Sequence, residues 1–473
     1  MAGVKTACVA PEETTIVSSQ ATVEAPVDIA TSRPARSGFR WVVLTLCFLI
    51  YLVAGADRAN IGVVIPYMKK DFELSNTDIG AIASLFFFGY AIIQVPFGLL
   101  YQRYGVRWMF SLSLLATSVA TLFIGYTGSA FQLKVGRTAL GFAEGPINIG
   151  ILTVINRWFP PQEKGTATGV FMASIKAAPA LVPPICALII YYFGWREVFY
   201  IFAAPGVLLA VAWLVLVNDT PRASRFCSDA EIDHIESKQL ASSVGTSASG
   251  RTKPMPRLDR LIRARVCEPL STTRDVLTSW DIWACAVGYF FMVGIAYAIM
   301  TWVPTYLVNV KKYPLFAMGF VASTPWIGAV LGNVIGGVIS DRLLGGRRKP
   351  MMLLTAASTI VTMYGLIYSP ADPWLLALLF TATGILLNLG YSTFLVYPMG
   401  LTTQEKTPLA AAIVNTGGSL GGAFAPFVVG VVLDWASWDA VFRFLASTSL
   451  LTFIVVLTMR EPLAAPSEQA IKA

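Results

Sequence analysis

Residues 41–67 read WVVLTLCFLIYLVAGADRANIGVVIPY, an apolar run with two charges, Asp57 and Arg58, side by side inside it. A bilayer is crossed by about 20 apolar residues, each rising about 1.5 Å in a helix, so this run is long enough to span one. A charge near the bilayer centre costs about 2.5–3.5 kcal/mol on insertion scales, which makes such residues face protein or a water-filled cavity rather than lipid. The stretch predicts a membrane-spanning helix that carries a polar site, with a cation suited to an anion and a carboxylate suited to a proton.

Composition agrees. The chain has 473 residues, 55% apolar and 13% charged, with a mean hydropathy of +0.64, whereas soluble domains carry about 25% charged residues. This is the composition of a polytopic membrane protein. The net charge of +8 and pI near 9.1 reflect basic residues in short loops between apolar runs, with no aromatic-interleaved basic patch for nucleic acid. Cys8, Cys47, Cys186, Cys227, Cys267 and Cys285 are scattered without a CxxC pair, and His234 is the single histidine. No disulfide framework, metal site or cofactor is expected. His234 falls in a polar stretch and reads as a solvated loop residue, which excludes a histidine proton relay inside the membrane. Residues 1–37 lack a basic segment followed by a short apolar core and read as a disordered tail, not a signal peptide.

Hydropathy predicts an all-α fold of twelve spans, at about 41–67, 78–100, 107–127, 131–158, 165–192, 196–217, 280–308, 315–340, 349–369, 373–397, 408–433 and 438–459. The expected organisation is a six-helix bundle over 38–217, a polar central loop over 218–279, a second six-helix bundle over 280–460 and a tail over 461–473. Arginine and lysine flank the spans asymmetrically: Arg33, Arg36 and Arg40 before the first, Arg103 and Arg107 after the second, Arg157 and Lys164 after the fourth, and Arg342, Arg347, Arg348 and Lys349 after the eighth. That bias puts both termini and the central loop in the cytoplasm. Lys69, Lys70, Lys311 and Lys312 run against it but are outnumbered.

The halves also repeat. Gln162-Glu163-Lys164 recurs as Gln404-Glu405-Lys406, Trp195 with Val198 and Phe199 as Trp438 with Val441 and Phe442, and Gly98 with Arg103 as Gly337 with Arg342. All three recurrences lie roughly 240 residues on, which is the signature of a duplicated six-span unit.

The loop after span 8, Gly337-Val-Ile-Ser-Asp341-Arg342 running on to Gly345-Gly346-Arg347-Arg348, resembles the cytoplasmic signature of the major facilitator superfamily. Its first-half counterpart departs from the pattern, with Gln102 at the acidic position. Asp57-Arg58-Ala59-Asn60 with Pro66, Tyr90 and Gln94 before Pro96, and Arg137-x3-Gly141-x2-Glu144-Gly145 resemble the anion:cation symporter branch. That branch includes bacterial glucarate, galactonate and hexuronate permeases, sialin and the vesicular glutamate transporters. The resemblance extends over residues 40 to 460. It implies proton-coupling acids at Asp57 and Glu144, and a gating contact at Asp341 and Arg342 that opens as the halves rock.

Depth is consistent with one site. Tyr90, Glu144 and Lys176 each lie roughly 16–20 Å along their spans in a core about 30 Å thick. Arg137, Gly141, Glu144 and Asn148 share one face of span 4 by their spacing. Glu144 is a carboxylate that a proton gradient can titrate. The alternative is a permanent ion pair, Glu144 with Arg137 or Asp57 with a nearby cation, that holds helices together or opens as a gate. Arg58 is the leading anion ligand, because guanidinium binds carboxylate through two parallel hydrogen bonds; the other reading makes it only a partner for its neighbourhood. Tyr90 and Gln94 suit hydroxyl groups, though Tyr90 also suits packing. Lys176 stands where the sugar-acid permeases place a glutamine. Facing a cavity it would suit a dianion; otherwise it partners Glu144 or snorkels to an interface. Asn388, Tyr391, Ser392, Asn415, Ser419, Tyr289 and Tyr297 are softer candidates in the second half, equally suited to helix packing.

With no P-loop, no Gly-x-Ser-x-Gly elbow and no metal-spaced histidines, an enzyme is not expected. The reading is a monomeric inner-membrane transporter that imports an organic acid, a sugar acid first, together with protons by alternating access. Its partners are the anion, protons and lipid. The alternatives are a permease for an aromatic acid such as phthalate or hydroxyphenylacetate, with Tyr289, Tyr297, Trp302 and Trp326 stacking on the ring, and a non-transporting sensor of the same fold.

Overall fold

The computed structural model describes residues 38–242, 268–403 and 405–463, with 255, 259–260 and 262–266 between them. The tail expected over 1–37 lies outside the described residues, as does most of that over 461–473. The first bundle is α1 (Phe39–Asp71), α2 (Asn76–Tyr104), α3 (Val106–Tyr126), α4 (Ala130–Trp158), α5 (Pro161–Tyr192) and α6 (Trp195–Leu216). After α7 (Asp229–Ser242), β1 (Ala264–Val266) and α8 (Thr273–Thr278) come α9 (Trp280–Asn309), α10 (Leu315–Val338), α11 (Lys349–Ile367), α12 (Pro373–Asn388), α13 (Tyr391–Leu401), α14 (Thr407–Trp435), α15 (Trp438–Thr458) and β2 (Glu461–Leu463). Among the described residues, twelve spans are long and apolar enough to cross a membrane, so the chain is a multi-pass membrane protein.

Local chemistry sets the ends. Ser75 and Asp78 form a capping box at the start of α2: Ser75 Oγ accepts from the Asp78 amide at 3.0 Å, and the Ser75 amide donates to Asp78 Oδ2 at 3.3 Å. Gly105, at φ 79°, turns α2 directly into α3, a conformation that favours glycine. The span predicted at 373–397 is two helices, broken between Asn388 and Tyr391. There Thr355 Oγ1 takes up the freed Gly390 amide at 2.5 Å, satisfying a backbone group that the break leaves without a helical partner.

The duplication is visible in the packing. A Cβ on Gly141 of α4 would overlap the Phe86 carbonyl of α2, and one on Gly328 of α10 would overlap the Thr381 carbonyl of α12. The second and fourth spans of each half therefore touch backbone to backbone, as small residues permit. The repeat extends past the bundles. Asp219, after the sixth span, accepts the first amides of α3, from Val106 at 2.5 Å and Arg107 at 3.0 Å. Glu461, after the twelfth, accepts those around the start of α11, from Arg348 at 2.8 Å and Lys349 at 2.7 Å. In each half an acid satisfies orphan N–H groups where the helix dipole favours negative charge.

Two expectations change here. Residues 461–463 are not a free tail: β2 pairs in parallel with β1, Ala264 opposite Glu461. His234 is not solvated: on α7 it is buried, with Nε2 3.2 Å from Glu163. On the same helix buried Glu231 accepts the Phe39 and Arg40 amides at 3.0 and 3.2 Å and the Arg40 guanidinium at 2.8 Å, clamping the segment onto the first turn of α1. Arg347 likewise holds Asp259 (Nη2 to Oδ2, 2.8 Å), and this guanidinium keeps the Asp259 carboxyl below the usual carboxylate range.

The halves meet at the end remote from Phe39 and Glu461. Gly80 of α2 lies against the Pro426 carbonyl, Gly62 of α1 against that of Met300, and Gly319 of α10 against Pro183 and Ala187 of α5. Asp434, in the last turn of α14, reaches across to cap α2, accepting the Asn76 and Thr77 amides at 3.0 and 2.8 Å and the Thr77 hydroxyl at 2.6 Å. An Asp434→Ala variant is expected to loosen this end, because an N-cap acid contributes about 0.5–2 kcal/mol. Spin labels on Glu73 and Trp435 should then show a longer, broader distance distribution; an unchanged distribution would mean that the cap does not hold the halves together.

Candidate functional site

Four helices of the first half bring polar groups to the same depth, since Arg58, Tyr90, Glu144 and Lys176 all lie near the middle of α1, α2, α4 and α5. Each helix is apolar enough to be held in the membrane, so the polar side chains at mid-depth turn inward where other polar groups meet them. Arg58 binds Glu144: Nε lies 2.5 Å from Oε1, and Nη2 also contacts that oxygen. Nη1 donates to the Tyr51 hydroxyl at 3.2 Å, and the guanidinium carbon sits 4.8 Å from the Tyr90 ring centroid and 5.6 Å from that of Phe86. The cation is thus boxed by aromatic faces that attract it. The pairing is lopsided, with both contacts falling on one carboxylate oxygen while Oε2 of the fully buried Glu144 has no hydrogen bond.

The ion pair read as the alternative for Glu144 is present, but with Arg58 rather than Arg137. Arg137 does not pair with Glu144; it donates from Nη1 to the backbone carbonyl of Asp57 at 3.0 Å and lies over Phe86. Nor does Asp57 pair with a cation among the described residues: its buried carboxylate accepts from Asn60 Nδ2 at 3.4 Å. Arg137 therefore ties α4 to α1 through main chain and leaves both carboxylates to other groups.

A cavity of about 450 Å³ lies between the halves, within the range of small-molecule sites. Arg58 and Lys176 are the charged groups on its described wall, and Glu144 sits behind Arg58. Tyr51, Tyr90, Tyr289, Tyr297 and Tyr391 line it with Trp326, and Asn148, Asn333, Asn415 and Ser419 add hydrogen-bonding groups. Tyr297 closes one end against Phe87, with ring centroids 4.3 Å apart. The cavity opens the other way, toward the end carrying Phe39 and Glu461, where Gly169 of α5 lines it and faces open space.

Lys176 faces this cavity. Its Nζ donates to Asn388 Oδ1 at 3.2 Å and lies 4.3 Å from the Tyr391 ring centroid, so it neither partners Glu144 nor snorkels. The helix break after Asn388 sets this up: Asn388 Nδ2 donates back to Gly384 at 2.9 Å, which turns its oxygen to the lysine. Ser419 spends its hydroxyl on the Asn415 carbonyl at 3.1 Å. Gln94 is half-buried but is not on the cavity wall. Trp302 turns away as well, donating to the Pro426 carbonyl at 3.0 Å. Asp341 pairs with Arg348 of its own loop at 2.7 Å, and Arg342 is exposed, so neither forms a cross-half latch in this state. Gln102 has no described side chain. Tyr51 and Asn333 are wall residues that sequence reading missed. Tyr51 lies two turns before Arg58 on one helical face, and Asn333 is a single amide in the apolar α10; these were the signals available.

The Major Facilitator Superfamily profile matches residues 47–345 and 315–473. The probable galactarate/D-glucarate transporter GudP of Bacillus subtilis is 26% identical, over 92% of this chain and 95% of that protein. The probable L-galactonate transporter of Escherichia coli is 24% identical over 90% of each, and a chloroplastic ascorbate transporter of Arabidopsis thaliana is 25% identical over 88% of this chain and 74% of its own. In fold, the chain is similar to a bacterial homologue of the human lysosomal transporter Spinster, solved inward-facing and occupied, with TM-score 0.70, 15% identity and coverage of 88% and 95%. The profile covers well over half of the chain, and this chain belongs to the Major Facilitator Superfamily.

Proposed function

We propose that the protein imports an organic acid anion, first a sugar acid such as glucarate or galactonate, together with protons, by alternating access across the inner membrane with both termini cytoplasmic. The observation that carries the reading is the buried Arg58–Glu144 pair, whose guanidinium is on the cavity wall with the carboxylate behind it. While Glu144 is ionised it occupies the guanidinium that a substrate carboxylate needs; once protonated it releases that guanidinium. Proton binding and anion binding are then favourable together, which is the differential interaction that coupling requires. Asp57, buried near the pair without a cation of its own, is a second group for a proton. The names of the relatives support the sugar-acid class. The asparagines on the wall suit hydroxyl groups, and the closed remote end corresponds to an inward-open state.

The tyrosines and Trp326 on the same wall favour a second reading, an aromatic carboxylate stacked between them. Uptake of labelled glucarate, galactonate and phthalate into proteoliposomes with an inside-alkaline gradient separates the two. Accumulation of a sugar acid that collapses with a protonophore is the expected result; accumulation of phthalate alone selects the second reading, and movement of none of them removes both.

A further inference from the structure

The two cations of the cavity are held differently. Arg58 is compensated by Glu144 and enclosed by Tyr51, Tyr90 and Phe86. Lys176 has no acidic partner among the described residues; its neighbours are the neutral Asn388 and the rings of Tyr391 and Trp326, all from the other half. The two sets of neighbours do not overlap, so the cations hold two separate places on the wall of one cavity. Asn333 adds to the lysine's place, donating to Asn388 Oδ1 at 3.4 Å, and it faces the cavity beside Lys176. A lone ammonium in a largely aromatic cavity lacks the counter-charge that burial demands.

We propose that the Lys176 ammonium, positioned by Asn388 Oδ1, forms a second carboxylate subsite, and that the transported species is a dicarboxylate bridging Lys176 and Arg58. The proposal rests on the transport reading above and makes it narrower. The charge balance supports it. With Glu144 ionised, the wall carries one uncompensated positive charge, at Lys176; with Glu144 protonated it carries two, which match a dianion. A carboxylate at Lys176 also touches groups of both halves, so binding there acts on the interface that must move. Lys176 is in this sense a specificity-determining residue: it selects for the second acid group.

The test compares uptake of glucarate, a dicarboxylate, with that of galactonate, a monocarboxylate of the same chain length, in proteoliposomes of wild type, Lys176→Gln and Lys176→Arg. Wild type is expected to prefer glucarate. Loss of a charge-assisted contact lowers the glucarate-to-galactonate ratio of kcat/KM by about 10- to 100-fold in Lys176→Gln, while Lys176→Arg keeps most of it. Thermal unfolding of each variant in detergent, with and without glucarate, adds a reading independent of turnover: glucarate should stabilise wild type and Lys176→Arg but not Lys176→Gln. An equal loss of both acids in a folded Lys176→Gln, or a wild type that carries galactonate as well as glucarate, overturns the proposal and leaves the transport reading standing. A wild type that carries neither acid removes the sugar-acid reading itself.

Discussion

Arg58→Ala is expected to abolish uptake of every acid the protein carries and to destabilise it as well. The guanidinium is the anion ligand of the proposed mechanism, and no other group on the wall replaces its forked donor geometry. The same change strips Glu144 of its counter-ion in a fully buried site. Breaking a buried pair from one side costs about 3–5 kcal/mol. Cys47, Cys186 and Cys285 are buried free thiols, so a thiol-reactive dye reports unfolding directly as temperature rises. The double variant Arg58→Ala, Glu144→Gln removes the stranded charge and should recover most of the lost thermal stability while remaining dead in uptake. Recovery without transport separates the ligand role from the structural one. If the single variant unfolds at the wild-type temperature, the pair contributes nothing to the fold; if it still accumulates substrate, Arg58 is not the ligand.

The second large effect is uncoupling by Glu144→Gln. Glutamine nearly matches the shape of the acid but cannot give up or take on the coupling proton. Arg58 is then no longer held by an ion pair, and a substrate carboxylate meets it whatever the pH. Exchange of labelled for unlabelled substrate should persist, whereas accumulation against a gradient should fall to equilibration. A difference of one pH unit is worth about 1.4 kcal/mol per proton, or up to about tenfold accumulation for each coupled proton, so the loss is readily measured. Persisting accumulation in Glu144→Gln would move the coupling to Asp57. Asp57→Asn in the same assay would then be the variant that equilibrates.

Much of this protein is legible along the chain because the bilayer imposes one dominant rule, that a spanning segment is apolar and long enough. The spans, the duplicated halves and the depth of Asp57, Arg58, Tyr90, Glu144 and Lys176 follow from it. The partner of Glu144 does not. Arg137 shares its helical face, but seven residues along a helix are about 10 Å of rise, too far for direct contact, whereas Arg58 arrives at the same level from a neighbouring helix. Gln94 was expected beside Tyr90 because it lies one turn on. The described wall includes Tyr90 and not Gln94, which spacing along α2 alone did not settle. The resemblance implied a gating contact at Asp341 without naming its partner, and the structure pairs it with Arg348 of its own loop.

What the sequence by itself determined is where polar groups sit along each helix, since hydropathy and helical rise are properties of one segment. What only the tertiary structure decided is which of those groups meet: Arg58 with Glu144, Lys176 with Asn388, Asp434 with the amides of α2. Those pairings join helices far apart in the chain, and they depend on rotation about each helix axis and on where glycines let backbones touch. A hydrogen bond is made or lost over less than an ångström, and only the packed bundle fixes positions that finely.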